Sequence, residues 1–270
     1  MHNSKKSSTF ALSKIRIMKI AIIGAGSVGT NLHHAFELKG IRAELVHARP
    51  LTADPEAVKA LPAADVYIYT VADHVLAEVA SLVHAPKALH LHTSGSIPLS
   101  VFGADKPHAG ILYFLQSFSR EVLIDDWSGI PCFIEGRNID DVAAIYSLAQ
   151  TLTSRIYECG QADRERLHIA AIFANNYSNL MYRIAADVLR GTSIPFEALL
   201  PLIDRTAAKV HEMSPANAQT GPAKRADHAV MTHHAEVLEA MRLQQSAFSA
   251  QELSALYQAL AALIEKAHNH

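Results

Sequence analysis

Short hydrophobic runs alternate with amphipathic segments along the first 159 residues of the chain. The runs contain β-branched and aromatic residues and end at glycine, proline or polar turn residues, which is typical of buried strands. The pattern predicts strands over residues 20–23, 41–48, 65–71, 87–93, 110–118 and 130–135, and helices over 30–39 and 139–152. Strands that alternate with helices predict an α/β fold with a doubly wound, mostly parallel Rossmann sheet, whose ligands bind beyond the carboxyl ends of the strands.

The strand pattern stops near Gly160, and helical periodicity takes its place. Helices are predicted over residues 163–189, 195–213, 223–243 and 249–267. The sequence therefore predicts a nucleotide-binding Rossmann domain over residues 18–159 and an all-helical second domain over 160–270. Residues 1–17 are polar and basic but lack the apolar core of a secretory signal, and they are interpreted as a disordered leader or an upstream start without function.

The glycine-rich turn after the first strand is the strongest chemical signal, and it reads Gly-Ala-Gly-Ser-Val-Gly. Gly24 permits a tight turn, Gly26 lets the backbone approach a pyrophosphate, and Gly29 lets the helix pack close to the strand. Free N–H groups at the helix N-terminus then bind the anion. We expect this turn, including Ser27 and Val28, to bind a dinucleotide, the alternative being an ordinary strand–helix turn.

The end of the second strand bears on the choice of cofactor. NAD enzymes usually place Asp or Glu there, on the ribose 2′-hydroxyl. Here the sequence is His47-Ala48-Arg49-Pro50, without a carboxylate. The planar guanidinium of Arg49 matches a 2′-phosphate, so the sequence favours NADP over NAD, and a solvated loop arginine is the alternative. Val71 and Ala72, after the third strand, are expected to contribute to the cofactor site.

Residues 167–182 contain no Asp, Glu, Lys or Arg, which is unusual for a helix that faces solvent. An α-helix turns by about 100° per residue, which places five polar side chains within one arc of roughly 120° around the helix axis. They are His168, Asn175, Asn176, Asn179 and Tyr182. A polar stripe on a buried helix must be hydrogen-bonded, either to protein or to a ligand. We expect the stripe to face the nicotinamide, and hydrogen bonding between helices or subunits is the alternative.

The loop Ser94-Gly95-Ser96 follows a predicted strand and precedes Pro98, which is favourable at a first helical position. Ser96 is placed to cap a helix, while Ser94 and free N–H groups form a pocket suited to a carboxylate or phosphate. An ordinary capped turn is the alternative.

Residues 220–227 form a similar loop that leads into a helix. Arg225 is a candidate for binding a substrate anion, and Asp227 lies on the same helix face as His234. A solvated helix start is the alternative, since charges there are usually exposed.

Composition narrows the class of protein. Half of the residues are hydrophobic and 19% are charged, which suits a globular protein with a large core. The formal net charge of −2, without a basic run, gives no indication of nucleic acid or membrane partners, and no apolar stretch is long enough to span a bilayer. Two cysteines, Cys132 and Cys159, indicate a reducing cytoplasm. The 16 histidines lack zinc-type ligand spacing, so no metal is predicted.

Several motifs together resemble one known family. They are the glycine-rich turn, His92-Thr93-Ser94-Gly95-Ser96, Leu115-Gln116-Ser117-Phe118-Ser119, residues 168–176 and residues 220–227. From about Met18 onwards the chain resembles a bacterial family of Rossmann-like proteins with a helical C-terminal domain of unknown function, labelled NADP oxidoreductases. More distantly, it is similar to the superfamily of 6-phosphogluconate dehydrogenase-like proteins, which includes 3-hydroxyacid dehydrogenases and ketopantoate reductase.

The wider resemblance implies roles for individual residues. In that superfamily a serine-bearing loop after a Rossmann strand binds the substrate carboxylate, which implies this role for Ser94 and Ser96, and members often form homodimers through the helical domain. Hydroxyacid members carry Lys-x-x-x-Asn on the first helix of the second domain. Asn176 matches the asparagine, but Ile172 stands in place of the lysine, and His168, one turn earlier, is the proton donor we expect instead.

The leading hypothesis is an NADP-dependent oxidoreductase acting on a small carbonyl, imine or alcohol that bears a carboxylate. His168 would exchange the proton with the substrate, because histidine as a residue type titrates near neutral pH. Asn176 would orient the reacting atom. The expected substrate-binding residues are Ser94, Ser96, Asn179, Arg225 and Asp227. The alternative is a nucleotide-binding sensor without catalysis, which the missing lysine favours. A helical assembly protein with a vestigial nucleotide fold is a third hypothesis.

Overall fold

The computed structural model describes residues 18–241, 243 and 246–268, so the predicted leader over residues 1–17 lies outside the described residues. Contacts divide the chain into two units, the first ending at Asn175 and the second beginning at Asn176. This division falls later than the boundary predicted at residues 159 and 160, because the helix that begins at Gln161 belongs to the first unit.

The first unit is built on one seven-stranded sheet. Its strands are β1 (Ile20–Ile23), β2 (Ala43–Val46), β3 (Val66–Tyr69), β4 (Leu89–His92), β5 (Ala109–Phe114), β6 (Cys132–Gly136) and β7 (Ile156–Glu158). The strand order is β2-β1-β3-β4-β5-β6-β7. β1 to β5 are parallel, β6 is antiparallel to β5, and β7 is parallel to β6. The predicted doubly wound, mostly parallel sheet is confirmed.

Helices cover both faces of this sheet. They are α1 (Ser27–Leu38), α2 (Ala48–Ala53), α3 (Pro55–Lys59), α4 (Asp73–Leu82) and α5 (Ile139–Ala149), with a 3₁₀ turn at Leu99–Phe102. A further helix, α6 (Gln161–Ala171), follows β7 and is mostly exposed. Along β1, Ile20 and Ile22 belong to one buried cluster, whereas Ala21 and Ile23 belong to the other. A strand buried on both faces reads as a continuous apolar run, which is why the sequence identified β1.

The strand predicted to extend to residue 118 ends at Phe114. Beyond it the chain forms a loop that packs Phe118 and Trp127 against the core. Asn31 of α1 is fully buried and holds this loop, because its amide donates to the Ser119 carbonyl and its side-chain oxygen accepts from the Ile124 N–H at 3.0 Å. The loop is therefore fastened directly to the helix that follows the glycine turn.

The described residues of the second unit form helices and loops without a strand. The helices are α7 (Ser178–Leu189), α8 (Leu200–Glu212), α9 (Pro215–Ala218), α10 (His228–Ala240) and α11 (Ala250–His268), with 3₁₀ turns at Phe196–Leu199 and Ala223–Arg225. A π-helical turn, Ile172–Tyr177, connects α6 to α7. Within the described part of the chain, no helix combines the length and apolar character needed to cross a membrane.

Candidate functional site

The glycine turn after β1 is held by contacts that only glycine permits. Gly24 has a φ of 120°, and its N–H donates to the Val46 carbonyl at 2.8 Å. The Thr70 hydroxyl, at the end of β3, donates to the Gly24 carbonyl at 2.6 Å. A Cβ on Gly29 would lie 1.9 Å from that same carbonyl oxygen and 2.5 Å from Thr70 Oγ1. α1 therefore starts directly against the end of β1, as the sequence predicted for Gly29.

Gly26 differs from the other two glycines, because a Cβ there would lie 3.8 Å from its nearest neighbour, the Thr70 carbonyl oxygen. The fold itself does not require glycine at this position. Gly26 is the N-cap of α1, and neither a side-chain cap nor an acidic residue occupies the first turn within the described residues. N–H groups of an uncapped first turn bind anions well. The turn, with Ser27 and Val28 on its first helical positions, fits a dinucleotide pyrophosphate.

The other predicted cofactor residues follow β2 and β3, the neighbours of β1. Arg49 is exposed in the first turn of α2, directly after β2. Half-buried Val71 and exposed Ala72 follow β3, and Ala72 is the N-cap of α4. Because the carboxyl ends of parallel strands meet at one edge of a sheet, these residues and the glycine turn lie at the same edge.

The serine loop, residues 94–97, follows β4 at the same edge. The Ser94 hydroxyl oxygen accepts hydrogen bonds from the N–H groups of Ser96 and Ile97, both at 3.1 Å. The prediction that the loop N–H groups are free is therefore wrong for Ser96 and Ile97, because both donate to the Ser94 hydroxyl. The 3₁₀ turn at Leu99–Phe102 has Pro98 as its N-cap and no side-chain cap, so the expected cap by Ser96 is not formed. A hydroxyl has one hydrogen besides its two lone pairs. Among the residues that the structure describes, the Ser94 hydrogen has no acceptor, so it can be donated to a ligand.

Arg164 of α6 fixes this helix beneath the serine loop. Its side chain is fully buried, forms an ion pair with Glu135 of β6, and donates to the Ile97 carbonyl at 2.9 Å. Sequence analysis did not identify Arg164 or Glu135, because such residues are usually exposed and the pair joins segments 29 residues apart. The ion pair sets the position of the side chain one turn later, His168.

His168 lies against the serine loop and the end of β5. A Cβ on Gly95 would lie 2.7 Å from His168 Nδ1, so the imidazole packs directly on the glycine backbone. The Tyr113 hydroxyl lies 3.1 Å from the same Nδ1. Tyr113 was not predicted, because it stands within the apolar run of β5 and there reads as core. It is buried, and burial raises its pKa. The structure thus brings Ser94, Gly95, Tyr113 and His168 together.

His92, at the end of β4, supports the loop as a neutral acceptor. It is fully buried, and its Nδ1 accepts a hydrogen bond from the Ser94 N–H at 3.2 Å. Burial lowers the pKa of His92 to about 3, and the positive charge of Arg164 shifts it in the same direction. His92 is therefore uncharged at neutral pH and orients the serine loop.

We expect this neutral histidine to make the protein sensitive to acid. The unfolded chain takes up a proton on His92 below pH 6.5, whereas the native chain does so only near pH 3, so stability falls as the pH decreases between these values. The loss between pH 7 and pH 5 is about 2 kcal/mol. Urea unfolding at several pH values measures it. His92→Gln should make the free energy of unfolding less dependent on pH, whereas His211→Gln, at an exposed position, should not. The same pH dependence in the unmodified protein and both variants would contradict a buried, neutral His92.

The prediction of a buried polar stripe is wrong for the single chain. Asn175, Asn176, Asn179 and Tyr182 are exposed. The predicted arc assumed an α-helical rotation of 100° per residue, whereas Ile172–Tyr177 form a π-helical turn. Asn175 belongs to the first unit, whereas Asn176 and Asn179 belong to the second, and the predicted roles of Asn176 and Asn179 stay predictions.

In the second unit, Asp227 has a structural contact. Its side chain caps α10 by accepting the Val230 N–H at 3.3 Å. Arg225 is exposed at the end of a 3₁₀ turn, and His234 contacts Tyr257, with Nδ1 and the hydroxyl 2.9 Å apart. Substrate binding by Arg225 and Asp227 stays a prediction. Among the residues that the structure covers, no group of three or more His, Cys, Asp or Glu is arranged to hold a metal ion.

Comparison with known proteins identifies relatives of the whole chain. Residues 130–264 match the family described as Domain of unknown function (DUF2520). A protein from Bacteroides fragilis, named a putative NADP oxidoreductase, is 34% identical, with 93% of this chain and 99% of that chain covered and a TM-score of 0.82. A comparison with curated proteins gives no match.

Two more distant solved structures share the fold. The protein TM1727 from Thermotoga maritima is 17% identical, with 93% of this chain and 98% of that chain covered and a TM-score of 0.64. A reductive aminase from Aspergillus terreus, in complex with NADPH and ethyl levulinate, is 14% identical, with 93% of both chains covered and a TM-score of 0.56. The chain belongs to the family of Rossmann-like proteins with a helical C-terminal Domain of unknown function (DUF2520), as its motifs predicted.

Proposed function

We propose that the protein is an NADP-dependent oxidoreductase that acts on a small carbonyl, imine or alcohol bearing a carboxylate. The main support is that two features lie at the same edge of the sheet. One is the uncapped glycine turn after β1, and the other is the imidazole of His168 beside the serine loop after β4. The similarity to the Bacteroides fragilis protein, and the NADPH bound by the reductive aminase that shares the fold, agree with this class of reaction.

The residues of the first unit suffice for the proton chemistry of such a reaction. The bound nicotinamide would supply or accept a hydride. When a carbonyl or imine carbon gains the hydride, its oxygen or nitrogen gains a proton, and His168 donates it. In the reverse direction His168 accepts the proton from the alcohol or amine. The Ser94 hydroxyl binds the substrate carboxylate, because its hydrogen is not used within the loop.

Residues predicted from the sequence complete this proposal. Ser96 assists Ser94, Asn176 orients the reacting oxygen or nitrogen, and Asn179, Arg225 and Asp227 contact the substrate. The roles of Ser96 and Asn176 follow from the superfamily resemblance, that of Asn179 from the polar stripe, and those of Arg225 and Asp227 from the loop over residues 220–227.

Arg49 is expected to select NADP. Arg49→Ala should weaken NADPH binding roughly 10- to 100-fold, because charge-assisted hydrogen bonds contribute about 1.5–3 kcal/mol, and it should leave NADH binding unchanged. Fluorescence titration with both cofactors measures this. Arg42→Ala is the matched control, since Arg42 is also exposed but precedes β2 at the opposite sheet edge. Equal losses for NADPH and NADH, or none, would contradict the choice of NADP.

The reaction class is tested by turnover. The protein is incubated with NADPH and a panel of keto acids and cyclic imines, and cofactor oxidation is followed by absorbance. Oxidation that depends on the added carboxylate supports the oxidoreductase. Tight NADPH binding with no oxidation across the panel would favour the sensor, and absence of any nucleotide affinity would contradict both.

We also propose that the protein is cytoplasmic and forms a homodimer through its helical unit. Both cysteines are unpaired, which agrees with a reducing compartment. Large apolar side chains of the second unit are exposed in the single chain, among them Leu202 at 64% and Leu263 at 62%. Exposed apolar surface of this kind is typical of interfaces. Light scattering tests the dimer.

A further inference from the structure

We propose that Tyr113 holds His168 in the tautomer protonated on Nε2. In substrate reduction Nε2 then gives its proton to the substrate while Nδ1 takes the proton of the Tyr113 hydroxyl, which solvent restores. The tautomer follows from contacts within the first unit alone. Its use in catalysis rests on the proposed function. Tyr113 would then be a positioning residue that acts through His168.

The hydrogen bond between the two side chains sets the tautomer. The Tyr113 hydroxyl and His168 Nδ1 are 3.1 Å apart, and the rings meet edge to face, with centroids 6.0 Å apart. Within the described residues, neither the Tyr113 hydroxyl nor His168 Nε2 forms another hydrogen bond. If Nδ1 carried the hydrogen, the phenol hydrogen of Tyr113, which is 8% exposed, would have no acceptor there. The phenol therefore donates to Nδ1, and the imidazole hydrogen resides on Nε2.

The orientation of the imidazole is fixed as well as its tautomer. Gly95 leaves no space on the Nδ1 side, because a Cβ there would lie 2.7 Å from Nδ1 and 2.8 Å from Cγ. α6 cannot shift easily, since Arg164 ties it to Glu135 and to the Ile97 carbonyl. Nε2 lies on the far edge of the ring from these contacts and is the atom left for a ligand.

A second tyrosine–histidine pair in the same sheet has the same hydrogen bond but only a structural role. The Tyr69 hydroxyl lies 2.9 Å from His90 Nδ1, and His90 Nε2 lies 2.9 Å from the Ala85 carbonyl. A carbonyl only accepts, so Nε2 of His90 carries the hydrogen and Tyr69 donates to Nδ1. In this pair both nitrogens are used by the protein. His168 shares the donor at Nδ1 but has no protein acceptor at Nε2 among the described residues.

Nitrogen-15 NMR of the imidazoles tests the tautomer without turnover. Full-length protein is measured with and without NADPH, and the His168 signals are assigned with His168→Asn. We expect the signals of His168 and His90 to show the hydrogen on Nε2 and not on Nδ1. Tyr113→Phe should convert only His168 to a mixture of tautomers, and Tyr69→Phe should leave His168 unchanged. Protonation of His168 on Nδ1, or an unchanged signal in Tyr113→Phe, would overturn the inference.

Kinetics test the consequence for the reaction. Tyr113→Phe should lower kcat roughly 10- to 100-fold with little change in KM. The ring then lacks both the bond that fixes the hydrogen on Nε2 and the hydroxyl proton that Nδ1 takes up, while no substrate contact is removed. Tyr157→Phe is the control, because Tyr157 is exposed and stacks on Phe133, whose ring also contacts that of Tyr113. An unchanged kcat in Tyr113→Phe would overturn the positioning role. If no substrate is turned over, the proposed function fails, while the NMR result still decides the tautomer.

Discussion

Replacing His168 by asparagine is expected to lower kcat by roughly 100- to 10,000-fold, the range that general acid–base catalysis contributes. The substitution is chosen because the asparagine side-chain oxygen reproduces an acceptor near Nδ1, where the Tyr113 hydroxyl lies at 3.1 Å. An amide has no group that titrates near neutral pH. The loss should therefore appear in kcat, while the affinity for NADPH, measured by titration, stays as in the unmodified protein.

Two controls separate this effect from damage to the fold. Thermal unfolding of His168→Asn should resemble that of the unmodified protein, because the side chain is only half-buried. His211→Asn, at an exposed position of α8, should leave kcat unchanged. An unaltered kcat in His168→Asn would remove His168 from the mechanism. A parallel loss of NADPH binding would instead assign it to the cofactor site.

The fold of the first unit could be predicted because its information is local. The strand β1 is buried on both faces, so its sequence is a continuous apolar run, and the glycines that follow it indicate the turn. β7 could not be predicted, since Ile156–Glu158 is a short edge strand without full burial. The π turn at Ile172–Tyr177 left no signal in the hydrophobic pattern, so the sequence predicted an uninterrupted α-helix there.

The candidate site could be predicted only in part, because its contacts join distant segments. Ser94 was found from its place between a predicted strand and Pro98, and His168 from the polar stripe on a predicted helix, and the family resemblance then implied their roles. Tyr113 was not, since its partner is 55 residues away and its own strand is apolar. Which of the two serines accepts hydrogen bonds from the loop also depended on loop geometry, because Ser94 and Ser96 have the same side chain. The sequence indicated which loops carry candidate residues, whereas the hydrogen bonds within those loops were found only in the structure.

The three glycines of the turn are expected to respond to alanine in different ways. Gly29→Ala should destabilise the protein by about 3 kcal/mol or more, because its Cβ would lie 1.9 Å from a backbone carbonyl oxygen and the helix must move away from β1. Helix propensity alone predicts the opposite sign, since alanine is favoured over glycine by about 1 kcal/mol within a helix. Urea unfolding therefore decides directly which of the two effects dominates.

Gly26→Ala should keep the fold and lose the cofactor. The backbone of Gly26, with φ of −81° and ψ of −172°, is accessible to alanine, and the nearest atom to a new Cβ lies at 3.8 Å. A methyl group at this position would stand where a pyrophosphate approaches the uncapped helix N-terminus, so NADPH affinity should fall at least tenfold, or about 1.4 kcal/mol. Gly129→Ala, in open space, should change neither property. If Gly26→Ala bound NADPH normally, we would conclude that the turn serves only to pack α1 against β1. The contacts of Gly24 and Gly29 already explain the other two glycines without any ligand.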